Sequence, residues 1–324
     1  MITLHHGDAL AVLRTVPAET VQTCITSPPY WGLRDYGVVE QLGLERTPEE
    51  YVARLVEIFR EVKRTLKADG TLWLNLGDSY AGSWGAQGKD ANPGLSVSGA
   101  ISARQVAAAA RKASGTGTIA AGSGLKPKDL VGIPWMVAFA LRADGWWLRS
   151  EIIWHKRNPM PSSIKDRPTT SHEQIFLLAK SPRYYYDADA IKEPAARPEG
   201  PGNTKAVRLP GERKWANGNI RGGLHLIGPR PDRAKRTVWT IAAQPYRGAH
   251  FATYPPKLIQ PCVLAGSRTG DVVLDPFNGA GTTGLVATRL RRHYIGIDVN
   301  HEYLTLTRQR LAEVQQELFT EGGQ

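Results

Sequence analysis

A short apolar strand ending in an acid, Val272-Val273-Leu274-Asp275, runs into Pro276-Phe277-Asn278-Gly279-Ala280-Gly281 and then into a helical segment from Thr282 to Leu290. A strand that feeds a helix through a tight turn cannot fold back on itself as a hairpin. It belongs to a parallel sheet whose two faces are covered. Glycine at 279 and 281 lets backbone approach a ligand closely, because no side chain obstructs the turn. A second strand, His293 to Asp298, follows the helix and ends in a carboxylate 17 residues beyond Gly281, where an acid accepts the ribose hydroxyls of an adenosine group. A nucleoside cofactor is the expectation.

The rest of the chain repeats the α/β alternation. Strands are expected at ITLHH, VQTCI, TLWLNL, WWLRSEIIW and EQIFLLAK, in addition to DVVLD and HYIGID. The helix from Pro48 to Leu66 is the best specified: Thr47 caps it, Pro48 suits its first turn, Glu50 completes a capping box, and Val52, Leu55, Val56, Phe59, Val62 and Leu66 form one stripe. Further helices are expected at Leu130 to Arg142, at Pro256 to Ala265, and at the end of the chain with Leu304, Thr307, Leu311, Val314 and Leu318 on one face. Residues 81 to 124 hold 9 Gly, 12 Ala and 6 Ser, a composition with little to bury, so a mobile loop is expected over about 79–128, with a short helix near Arg104 to Lys112.

The chain carries 41 Lys and Arg against 30 Asp and Glu, a net +11, and the excess is not evenly spread. Between Ile191 and Arg236 eleven basic residues face four acids, a net +7 in a stretch also rich in Gly and Pro. Residues 187–240 therefore read as a separate basic module with a polyanionic partner. Two cysteines, Cys24 and Cys262, cannot make a disulfide framework, and no Cys/His spacing suggests a metal site. Apolar runs such as Ile133 to Leu141 are too short to span a membrane, and a cytoplasmic enzyme is expected.

The strand VQTCI runs into Thr26-Ser27-Pro28-Pro29-Tyr30-Trp31. Two prolines fix the backbone and remove its amide donors, which leaves the Ser27 hydroxyl and Pro28 carbonyl as acceptors at a strand's carboxyl end beside an aromatic face. Such a pocket suits a planar group bearing an NH2.

These two motifs resemble those of the S-adenosylmethionine-dependent amino methyltransferases of DNA, which pair an S/D/N-P-P-Y/F/W tetrapeptide with an FxGxG turn. Here they read Ser27 to Tyr30 and Phe277 to Gly281. Their order, catalytic motif first and cofactor turn last, is similar to the beta-class permutation. The resemblance implies a doubly wound, mostly parallel, seven-stranded Rossmann-like sheet in circularly permuted order, with 1–186 and 241–324 forming one methyltransferase domain and 187–240 a target recognition module. It implies Ser27, Pro28, Pro29 and Tyr30 as catalytic. S-adenosyl-L-methionine would lie among Asp8, Thr26, Lys257, Asp275, Pro276, Phe277, Gly279, Gly281, Thr282, Thr283 and Asp298. Trp31 would be a second wall for a base extruded from double-stranded DNA, and Arg213 and Trp215 candidate readers of its sequence. A cognate restriction endonuclease is implied as a partner by function rather than contact, and the assembly is a monomer or homodimer. Ser at the first motif position commonly accompanies cytosine N4 transfer and Asp or Asn adenine N6 transfer, so cytosine N4 is expected, with adenine N6 as the alternative.

Four other readings compete. Pro261-Cys262 reproduces the nucleophile dipeptide of cytosine-C5 enzymes, but it falls in an apolar helical run rather than on the loop after a strand, so both cysteines are expected to be buried. A dehydrogenase would use the glycine turn for a dinucleotide but would leave the Ser27-to-Trp31 loop without a role. A DNA-binding protein without activity would leave the glycine turn without a role, whereas an RNA or protein substrate is disfavoured only by the basic insert. The eight histidines are dispersed, and the one with an adjacent carboxylate, His172-Glu173, lies at a strand start; none is assigned to catalysis.

Overall fold

The computed structural model describes residues 1–32, 41–81, 124–195, 231–244 and 254–321. In chain order the elements are β1 (Ile2–His6), α1 (Ala9–Leu13), β2 (Val21–Thr26), α2 (Pro48–Thr65), β3 (Leu66–Leu76), α3 (Ile133–Ala143), β4 (Trp147–His155), β5 (His172–Ala179), β6 (Glu193–Pro194), β7 (Asp232–Arg233), β8 (Val238–Thr240), α4 (Pro256–Gly266), β9 (Val272–Asp275), α5 (Thr282–Arg289), β10 (His293–Asp298) and α6 (His301–Glu321).

Among the described residues eight strands form one sheet in the order β1-β10-β9-β2-β3-β5-β4-β8. All neighbours are parallel except that β5 runs antiparallel to both β3 and β4. This is a mostly parallel, Rossmann-like sheet with one strand more than expected. The addition is β8, three residues long, which pairs with β4 through Val238, Trp239 and Thr240. Its residues fall within the span that reads as the basic module, because three residues flanked by charge carry no readable period. The chain accordingly divides into one unit of Met1–Tyr186 with Thr237–Gln324, and a second unit of Asp187–Arg236.

The period-two alternation of the central strands builds both faces. Leu72, Leu74 and Leu76 of β3 join Cys24 and the apolar stripes of α1, α2 and α3 in one core. Thr71 and Trp73 point the other way, and a Cβ placed on Gly266 of α4 would lie 2.9 Å from both Trp73 Nε1 and Thr23 Oγ1. Residues of β2 are buried throughout, as a central strand covered on both sides must be.

Helix α2 starts where its caps say. The Thr47 side chain accepts the Glu50 amide at 3.2 Å, but the Glu50 carboxylate reaches back to the Arg46 amide at 3.1 Å rather than to Thr47. The expected loop at 79–128 is pinned at its base: the Ala81 amide donates to the Asp129 carbonyl at 2.8 Å and the Val131 amide to Ser79 at 3.0 Å. This pairing delays the next helix to Ile133, where the Asp78 carboxylate accepts the Gly132 and Ile133 amides. The expected helix near Arg104 to Lys112 lies outside the described residues. Within the second unit, the Glu193 carboxylate holds Arg233 at 2.9 Å and Arg236 at 2.7 Å across the short β6–β7 ladder.

Candidate active site

Strand order reverses between the parallel neighbours β9 and β2: β2 leads on to β3 on one side, whereas β9 leads to β10 on the other. The carboxyl ends of two such neighbours splay their following loops apart and leave a crevice, which is where open α/β sheets bind ligands. The Ser27-Pro28 loop leaves β2 and the Pro276-to-Gly281 turn leaves β9, so the two motifs meet at this point although about 250 residues separate them.

A buried tie joins the two strand ends. Asp275 is fully buried and accepts four hydrogen bonds: from Thr26 Oγ1 at 2.6 Å, the Phe277 amide at 3.1 Å, Thr283 Oγ1 at 2.7 Å and Tyr254 OH at 3.0 Å. A carboxylate offers about four lone-pair directions, and all are taken. Burial pushes the Asp275 carboxyl up from its ordinary value while these donors pull it down. Asp275, Thr26 and Thr283, assigned to the cofactor by resemblance, are thus spent on one another as the floor of the crevice. Pro276 and Thr282 are also buried, and Phe277 is half-buried.

The glycine turn differs at its two glycines. Gly281 has φ +74° and caps α5, and a Cβ there would lie 2.5 Å from Thr307 Cγ2, so the fold itself demands glycine. Gly279 has φ +50°, but its Cβ would meet nothing nearer than the Phe277 carbonyl at 3.9 Å. Space is left open there that packing does not require. The Gly279 amide donates to Asp298 Oδ2 at 2.7 Å, and the Asn300 amide to Oδ1 at 2.8 Å. Desolvation outweighs these donors and raises the Asp298 carboxyl to about 6. Asp8 stands near by, since the Gly7 amide donates to the Asp298 carbonyl at 3.0 Å; its own carboxylate caps α1 by accepting the Ala11 amide at 2.9 Å. Lys257 is exposed on the first turn of α4.

The SPPY loop is held by side chains. Tyr51 OH donates to the Pro29 carbonyl at 2.9 Å. Ser27 Oγ donates to Tyr30 OH at 3.2 Å, and Tyr30 OH donates to Glu173 Oε2 at 2.8 Å. Glu173 also accepts from Asn75 Nδ2 at 3.1 Å and from Lys156 Nζ. Burial, and then the Glu173 charge, push the Tyr30 phenol well above its ordinary value and keep it protonated. A Cβ on Gly77 would sit 2.5 Å from Tyr30 Cε2, so glycine at the end of β3 makes room for the ring. Trp31, expected as a second wall, is turned into the fold. It is 7% exposed, packs in the core, and donates its indole N–H to the Glu45 carbonyl at 3.0 Å. Arg213 and Trp215 lie outside the described residues.

Sequence reasoning passed over Glu173. Its partner is 143 positions away, and only the antiparallel pairing of β5 with β3 brings its first residues to the edge that holds Ser27. The available signal was an acid opening an otherwise apolar strand. Cys262 is 1% exposed with its Sγ toward the Leu258 carbonyl at 3.6 Å, and Cys24 is fully buried with its thiol pushed well up by desolvation. Neither is placed as a nucleophile. Among the described residues no group of three or more His, Cys, Asp or Glu is arranged to hold a metal ion, and no helix is long and apolar enough to cross a membrane.

The profile of the DNA methylase family that comprises N6 and N4 enzymes matches residues 21–309. The chain belongs to this family. It is 47% identical over 309 residues to the Type II methyltransferase M.XycI of Xanthomonas campestris pv. cyanopsidis, covering 95% of this chain and 87% of that one. It is 46% identical over 311 residues to M.Cfr9I of Citrobacter freundii, with the same coverage. The fold is similar to that of the PvuII DNA methyltransferase, at TM-score 0.59 and 17% identity over 97% of this chain and 90% of the other. As a member of the DNA methylase family this chain is a DNA methyltransferase that uses S-adenosyl-L-methionine.

Proposed function

We propose that this enzyme methylates the exocyclic N4 amine of a cytosine extruded from duplex DNA. The observation that carries the reading is Ser27, a hydroxyl at the carboxyl end of β2, set at the crevice that the glycine turn also enters.

The residues around the turn fit the cofactor. Open space at Gly279 admits a ligand against backbone, and Asp298, with a carboxylate oriented by two amides, would accept ribose hydroxyls. Asp8 borders the same pocket through Gly7, and Lys257 and Phe277 flank it by resemblance. Bound S-adenosyl-L-methionine supplies an electrophilic methyl group on a sulfonium.

The exocyclic amine is a poor nucleophile because its lone pair is delocalised into the ring. Acceptance of its two N–H bonds by the Ser27 hydroxyl and the Pro28 carbonyl would hold it in a geometry that localises the pair and aims it. Pro28 and Pro29 stiffen the loop that holds those acceptors, and the Tyr30 ring supplies the face on which an extruded base would stack. Residues 191–236, which carry +7 of the chain's net +11, would bind duplex phosphates and read the site, with Arg213 and Trp215 among the candidate contacts. A cognate restriction endonuclease would cut the same sequence without contact.

Digestion of DNA treated with the purified enzyme, followed by mass spectrometry of the nucleosides, tests the substrate. N4-methylcytosine is expected. N6-methyladenine would overturn the base assignment while leaving the site intact, and 5-methylcytosine would overturn the site as well.

A further inference from the structure

We propose that Glu173 sets the direction of a hydroxyl chain, Ser27 to Tyr30 to Glu173, and thereby makes Ser27 an acceptor toward the substrate amine. The inference rests on the reading of Ser27 as the group that meets the amine. Glu173 acts through two other residues, so it is a positioning residue.

Four separate elements assemble the chain: Ser27 and Tyr30 come from the loop after β2, Asn75 from β3, Lys156 from the end of β4, and Glu173 from the start of β5. The Lys156 ammonium, 4.7 Å above the Trp154 ring, and the carboxylate of Glu173 are respectively 25% and 15% exposed, which shields the pair from water. An ionised carboxylate has no proton to give. Tyr30 must therefore spend its one hydroxyl proton on Glu173, at 2.8 Å. Its oxygen can then only accept from Ser27, at 3.2 Å. Ser27 also has one proton, and with that committed only lone pairs remain for the substrate. An amine presenting N–H bonds needs that polarity. In the reverse orientation Ser27 O–H would point at the amine and compete for the lone pair that must attack.

The same polarity disposes of the surplus proton. As the N–C bond forms, the S–C bonding pair stays on sulfur and the nitrogen carries an extra proton. That proton passes to Ser27 Oγ while the Ser27 proton moves to Tyr30 and the Tyr30 proton to Glu173, which ends as the acid beside Lys156. The chain takes up one proton in all: the positive charge on nitrogen is discharged as the Glu173 carboxylate becomes the acid.

The test uses the full-length enzyme with a duplex oligonucleotide and three variants: Glu173→Gln, Tyr30→Phe and the two combined. Each single change should lower kcat by about 10- to 100-fold, the low end of proton-handling effects, with KM for both substrates within about twofold. The double variant should fall no further than the worse single one, to within about threefold, because a chain cut twice is still one cut chain. Glu173→Gln at wild-type kcat, or a double loss equal to the product of the singles, would overturn the proposal. If Glu173→Gln does not fold, Tyr30→Phe decides alone: it keeps the ring and removes one oxygen, and wild-type turnover would refute the chain. Product identity in the wild-type enzyme is read separately, so an error in the assigned base cannot be mistaken for failure of the chain.

Discussion

The loops that leave β2 and β9 lie side by side and are built on opposite principles. After β2, two prolines remove backbone donors, and the loop works through hydroxyls and a carbonyl supported by Tyr51, Asn75, Lys156 and Glu173. After β9, two glycines remove side chains, and the turn works through backbone amides arranged around Asp298. A group that must be polarised needs acceptors from side chains, whereas a cofactor that must be seated needs close backbone approach. The Asp275 carboxylate, with ligands from both strand ends, lets the two designs share one floor.

If the division holds, damage to each loop should leave the other's task intact. Tyr30→Ala should give the largest effect, a loss of about 100-fold or more in kcat, with S-adenosyl-L-methionine affinity by calorimetry near wild type. Equal turnover would remove the stacking role.

The two glycines sharpen the comparison within the turn. Gly281→Ala forces a Cβ against Thr307 at positive φ, and should destabilise the fold by about 1–3 kcal/mol in denaturant titration. Gly279→Ala meets open space, so its stability cost should be nearer ~1 kcal/mol while cofactor affinity drops. Equal losses in both assays for both variants would show that the open space at Gly279 is not a seat.

Asp298→Asn should weaken cofactor binding by about 1–3 kcal/mol. A pH dependence follows from its raised value of about 6. A ligand that donates hydrogen bonds prefers the carboxylate, so affinity should fall as pH drops through about 6 and level off above it; the Asn variant should lose this dependence. In the free enzyme the sign for folding is opposite: the native state holds the proton more tightly than the unfolded chain, so this group's contribution to stability declines as pH rises from about 4 to about 6. The smallest effect belongs to the basic module. Each phosphate contact removed from 191–236 should flatten the salt dependence of DNA binding by about one unit of slope and leave cofactor affinity unchanged.

What could be read from sequence was whatever is local. The stripe of α2, the apolar strands and the strand–turn–helix at 272–290 depend on residues a few positions apart, so their pattern survives in one dimension. The Asp275 tie, the Glu173 network and the burial of Trp31 depend on partners brought together by sheet order. A two-dimensional register converts a serine and a glutamate 146 positions apart into the ends of one chain, and no local period encodes it. Strand β8 escaped because it is short, and α1 because its five residues follow Asp8 with no room for a periodic stripe.

The central claim is that both loops serve one site. A crystal structure with S-adenosyl-L-homocysteine and a duplex substrate tests it directly. Ribose hydroxyls are expected on Asp298, with the sulfur facing the Ser27-Pro28 loop and the amine of an extruded base within hydrogen-bond distance of Ser27 Oγ. A ribose bound away from Asp298, or a target amine on the far side of the Tyr30 ring from Ser27, would contradict the claim.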